Sequence, residues 1–258
     1  MFELNPQMEI TAVNDIGPDG RCAIVIDNLY ENPDAVRDLA IKLPRSKNVN
    51  FVNHHSGTRA AYETGEVRKN LELLLEELTD NQEFWGRKTD KQARSNSMQH
   101  MWFLVDYINE KSIDEEPLRL LPFQCYYIHN PSPFQFTVDI FLNRTKECFG
   151  GINIWNFAGK TSIVEDIKNM YADKGKFDII KDVYESKFTW TREFTFGMKY
   201  NRAVILPSDI LVAPILNTGK FTDLDRICQK IFLLILICIC LNRLEEIYSK
   251  KVKCLYQD

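Results

Sequence analysis

The chain has 258 residues, 45% of them hydrophobic and 26% charged, with 32 Lys and Arg against 36 Asp and Glu. An aromatic content of 12% and a net charge of only −4 exclude intrinsic disorder, and a chain this long buries enough apolar surface to fold without disulfide or metal staples. The slightly acidic balance speaks against a nucleic-acid-binding protein, whose surface is ordinarily basic.

Arg21 to Asp27 is a short apolar run bounded by Gly20 and Asn28 and predicts a strand. A helix follows, with Asn32 as its cap, Pro33 at the first helical position and Asp34 against the positive helix end. Val36, Leu39, Ala40 and Leu43 keep helical spacing until Pro44 stops it. His54-His55-Ser56-Gly57-Thr58-Arg59 predicts a polar, solvated loop, and Glu66 to Leu78 an amphipathic helix. From Asn96 onward, strands are predicted over Ser97–Ile108, Leu118–Ile128, Phe134–Leu142 and Ile152–Phe157. Gly150-Gly151 suggests a tight hairpin or a bulge. A short helix over Ile163–Tyr171 is followed by strands at Phe188–Phe196, Ala203–Leu206 and Arg226–Ile235, and a charged surface helix over Leu241–Lys251.

Seven cysteines, none in CxxC spacing, suit a reducing compartment better than a disulfide framework. No secretory signal is visible after Met1. The one long apolar run, Ile231 to Leu241, would span about 16 Å as a helix against a hydrocarbon core of about 30 Å. Its β-branched content suits a core strand rather than a membrane anchor, with a contact helix left open. A single domain over 1–258 is expected, with a helix-rich part at 1–95, a β-rich core at 96–240 and a terminal helix and tail at 241–258. Helices before a β-rich region predict an α+β domain packed on a curved sheet or barrel.

Several segments, taken in order, carry a resemblance. They are Ala23-Ile-Val-Ile-Asp27 with Asn32-Pro33-Asp34, Ser56-Gly57-Thr58-Arg59, Tyr127-Ile128-His129, Val138-Asp139-Ile140-Phe141-Leu142-Asn143, Cys148-Phe149-Gly150-Gly151, Tyr200-Asn201-Arg202-Ala203-Val204 and Arg226-Ile227-Cys228. Together they resemble phage and bacterial proteins similar to 2-oxoglutarate/Fe(II)-dependent dioxygenases of the prolyl-4-hydroxylase type. The resemblance implies a double-stranded β-helix (jelly roll) with flanking N-terminal helices. It also implies a ferrous site of two histidines and one carboxylate, and an arginine for the distal carboxylate of 2-oxoglutarate.

The ligand pattern is incomplete. His129 matches the first metal ligand, but Asn130 and Pro131 follow it where the family has a His-x-Asp pair, and no histidine occurs after position 129. Asp139 is a substitute carboxylate, and His54, His55 and His100 are distant substitutes, each with a plainer structural reading. Arg226 matches the 2-oxoglutarate arginine, and a planar guanidinium suits a carboxylate clamp. Cys228 stands where Ser or Thr is often found. Arg59 and Arg202 are either ligand contacts or structural ion-pair partners. No P-loop, Rossmann fingerprint or nucleophile elbow occurs.

The expected function is therefore a catalytically inactive dioxygenase-like protein, without cofactor or catalytic residues, used for protein–protein contact. A phage virion component (capsid, neck or tail accessory) is one concrete form, placing it in a virion or the host cytoplasm. Its partners are then other proteins, a homo-oligomer included, with neither nucleic acid nor membrane. The alternative is an active hydroxylase using Fe(II) and 2-oxoglutarate with non-standard ligands. A binding module that keeps Arg226 without redox chemistry is the third form.

Overall fold

The computed structural model describes residues 1–16, 21–46, 58–63, 70, 102–115, 117–124, 135–158, 169–186, 188–207, 210–216 and 219–234. In chain order its strands are β1 (Glu9–Ile16), β2 (Arg21–Asp27), β3 (Thr58–Glu63), β4 (Trp102–Ile108), β5 (Phe123–Gln124), β6 (Gln135–Phe141), β7 (Gly151–Phe157), β8 (Trp190–Gly197), β9 (Ala203–Pro207), β10 (Leu211–Ile215) and β11 (Arg226–Leu234). They form two antiparallel sheets, β1-β2-β9-β6-β11-β4-β3 and β5-β10-β7-β8. Helices are few among the described residues, and the fold there is mixed α+β, compatible with a β-sandwich.

Alternation along the strands of the larger sheet gives it two buried faces. One face carries Ile24, Ile26, Val105, Tyr107, Val138, Ile140, Ile205 and Ile227 and packs on helix α1 (Pro33–Lys42) through Val36 and Ala40. The other carries Val25, Phe141, Val204, Leu206 and Cys228 and meets Ile152, Ile154, Phe196 and Val212 of the smaller sheet. The smaller sheet has a covered outer face too. There Trp155, Trp190, Leu211 and Ala213 pack against Tyr171, Ile179 and Val183 of the segment between β7 and β8. Within it, helix α2 (Lys176–Ile179) continues with π winding through Ile180–Glu185.

The α1 expectation holds in detail: the Asn32 side chain accepts from the Ala35 N–H at 3.1 Å and Pro33 opens the first turn. Asn201, at φ +62°, locks the β8–β9 turn to the β2–α1 connection. Its amide accepts from Tyr30 N–H and donates to Tyr30 O, both at 2.9 Å.

Three readings need correction. Thr58 and Arg59 are not loop: they begin β3, because Arg59 finds its partner across the sheet on β4. Leu118 and Leu120 lie in a 3-10 turn (Pro117–Leu120), leaving only Phe123–Gln124 as strand before residue 125. Gly150-Gly151 makes no hairpin, since β6 and β7 belong to different sheets and a 3-10 turn (Thr145–Glu147) joins them. Of the helix expected over Glu66–Leu78, only Asn70 is described, and it is helical. The terminal helix over Leu241–Lys251 lies outside the described residues. Ile231 is buried in β11, which makes the start of the long apolar run a core strand, and no described helix is long and apolar enough to cross a membrane.

Candidate functional site

The register of the larger sheet lines up charged residues on its inter-sheet face. Arg59 of β3 lies opposite Asp106 of β4, which lies opposite Cys228 of β11. One step along, Lys230 of β11 lies opposite Asp139 of β6. Arg226 is two residues before Cys228 on the same strand and therefore shares its face. Apart from Lys230, all of these side chains are buried; Arg59 is 2%, Asp106 3%, Asp139 1% and Arg226 1% exposed.

Two carboxylates and two cations pair with each other. Arg59 donates from Nε to Asp106 Oδ1 at 2.5 Å and from Nη2 to Oδ2 at 2.9 Å, a bidentate bridge. Lys230 Nζ, largely shielded from solvent, pairs with Asp139 Oδ1. The Cys228 thiol donates to the same oxygen at 3.4 Å. Burial first, and the Asp139 charge second, push the Cys228 thiol up to about 12, against the pull of Arg226 and Lys230. At neutral pH it is a protonated thiol, not a nucleophile.

Arg226 is different. Its Nη2 donates to Gly151 O at 3.4 Å, longer than an ordinary N–H···O bond, and its guanidinium sits 5.3 Å from the centre of the Phe141 ring. Its Nε is buried without a hydrogen-bond partner, and no carboxylate pairs with it among the described residues. Burying a guanidinium costs on the order of several kcal/mol, which one long hydrogen bond and a ring contact offset only in part. An anion seated against it would offset that cost.

Of the residues singled out in the sequence, the structure brings Arg59, Asp139, Arg226 and Cys228 to one face. Arg202 lies elsewhere, bridging Asp27 through Nε (2.6 Å) and Nη2 (2.9 Å) and holding that carboxyl below its usual range. His54, His55, His100 and His129 lie outside the described residues. The donors in view do not fit a ferrous ion at Asp139, because a dication there would stand against the Lys230 ammonium that already holds the carboxylate.

Asp106 and Lys230 were not among the sequence candidates. Asp106 has the same signal as Asp139, a lone acid inside an apolar strand (Val105-Asp106-Tyr107 beside Val138-Asp139-Ile140). Lys230 completes a period-2 polar series, Arg226, Cys228, Lys230, inside an apolar strand. No protein-family model, no curated protein and no solved structure matches the chain.

Proposed function

We propose that this chain is a jelly-roll protein of dioxygenase-like descent that acts by binding rather than by oxygen chemistry, with a small carboxylic acid of the 2-oxoglutarate class held on Arg226. The jelly-roll reading is supported by the strand alternation. β4, β6, β9 and β11 lie in the larger sheet, while β5, β7, β8 and β10 lie in the smaller, so the chain crosses between layers repeatedly. The observation that carries the ligand is the buried guanidinium of Arg226, which no carboxylate pairs among the described residues. Its fork presents paired N–H donors, the geometry a carboxylate accepts. The alternative, an active hydroxylase, draws no support from Asp139, whose charge Lys230 takes up.

Calorimetry and thermal unfolding with 2-oxoglutarate, in the absence of metal, test this. At ligand near a hundred times its Kd, wild type gains about 2.7 kcal/mol, a rise of about 5 °C in Tm. Arg226→Leu abolishes both the heat and the shift. A wild type that shows neither heat nor shift with 2-oxoglutarate, glutarate or succinate removes the reading.

A second reading, contact with other proteins, of which a virion accessory is one form, is favoured by the segment between β7 and β8. Phe177 and Phe188 are 75% and 92% exposed there, and exposed aromatic side chains are common anchors at interfaces. The partner tested first is a second copy. Sedimentation velocity is expected to show self-association of wild type and a monomer for Phe177→Ser/Phe188→Ser. A monomeric wild type eliminates the second copy as that partner.

A further inference from the structure

Asn143, two residues beyond β6, is fully buried (0% exposed), and its amide grips the start of β11 on both sides of Arg226. Nδ2 donates to the Asp225 carbonyl at 2.8 Å, and Oδ1 accepts from the Ile227 N–H at 2.7 Å. Regular pairing of β6 with β11 begins only at Phe141↔Cys228. Beyond that point the ladder is continued by one backbone bond, Leu142 N–H to Ile227 O at 3.1 Å, and then by this side chain. Residue 225 is fixed again from the far side, where its carboxylate takes Arg45 and an N–H of Asn109 at 2.8 Å.

Resting on the reading that Arg226 takes a carboxylate, we propose that Asn143 is the positioning residue of that site. Holding residues 225 and 227 sets the backbone from which the Arg226 side chain departs. Among the described residues no carboxylate orients Arg226, so in the ligand-free protein its aim depends on that backbone, on its long bond to the Gly151 carbonyl and on the Phe141 ring. Without the clamp the guanidinium samples more orientations, and the ligand must immobilise it on binding. Asn143 touches no ligand in this scheme; its effect passes through Arg226.

The test is the affinity of 2-oxoglutarate for the full chain, measured well below Tm. Asn143→Ala is expected to bind at least roughly tenfold more weakly than wild type while keeping its far-UV dichroism. A merely structural role would lower Tm and leave the affinity of the folded protein unchanged, and that result overturns the proposal. A second measurement needs no variant: amide exchange of wild type with and without 2-oxoglutarate. The Ile227 amide, held by Asn143, is expected to exchange more slowly once ligand fixes Arg226, and an unchanged rate in the presence of bound ligand also overturns it. Wild type that binds no carboxylate refutes the site itself, an outcome distinct from binding that ignores Asn143.

Discussion

Lys230→Met is expected to lower the free energy of unfolding by about 3–5 kcal/mol, the cost of leaving one member of a buried ion pair alone. The residue left behind is Asp139, 1% exposed in the middle of β6, where among the described residues the Cys228 thiol is its other side-chain hydrogen-bond partner. A thiol is a weak donor and cannot replace an ammonium. The double variant Asp139→Leu/Lys230→Met should recover most of the loss, because removing both charges also removes their desolvation cost. Urea unfolding of the four proteins closes a double-mutant cycle, with the midpoint shifting and the slope m unchanged. A loss below about 1 kcal/mol in the single variant would mean that Asp139 is neutralised by something else. The carboxylate would then not be held by Lys230 and would be open to a metal.

The same strand shows where the amino-acid sequence is legible. β2, β6, β7, β9 and β11 are apolar runs between turn residues, and all were predicted to within a few positions. Their side chains are buried on both faces or on one, so hydrophobicity alone marks them. β1 escapes because it is an edge strand with a largely exposed, polar composition, Glu-Ile-Thr-Ala-Val-Asn-Asp-Ile. β10 was not predicted as a strand; Pro214, opposite Ile152, argues against a strand on single-sequence grounds. β3 escapes because Thr58 and Arg59 read as solvated polar residues, and it is Asp106, 47 positions away, that makes burial of Arg59 tolerable.

The site divides in the same way. Asp139 stands out as a charge inside an apolar strand, which is a local signal, whereas Arg226, the first residue of β11, is marked by the resemblance. Their fates differ, and that difference is not local. Asp139 is neutralised because the antiparallel register sets Lys230 directly opposite it, whereas Arg226 lies opposite Ile108. Register comes from the pairing of distant strands and the burial of one face of each. A single chain read alone does not carry it. Asn143 closes a strand segment that the resemblance includes, but nothing local gives it a role: its two bonds to β11 reach a strand more than 80 positions away.

Gly151→Ala is expected to cost about 3 kcal/mol or more, and to weaken carboxylate binding as well. A Cβ at Gly151 would lie 2.1 Å from the Phe196 carbonyl oxygen and 3.1 Å from the Gly197 Cα, both backbone atoms of the neighbouring strand β8. A flexible side chain could swing away; a paired strand cannot, so β7 and β8 must separate at this end. The displaced backbone is also the one whose carbonyl receives Arg226 Nη2, which couples the damage to the site. Gly197→Ala is the control. Gly197 lies directly opposite Gly151, yet a Cβ there meets nothing within 4 Å, so that variant should stay within about 0.5 kcal/mol of wild type. Thermal unfolding separates the two by roughly 5 °C or more. Equal Tm values would mean that the two strands do not approach each other this closely. A Gly151→Ala protein that unfolds early but keeps full affinity for 2-oxoglutarate would detach the Gly151 carbonyl from the Arg226 site.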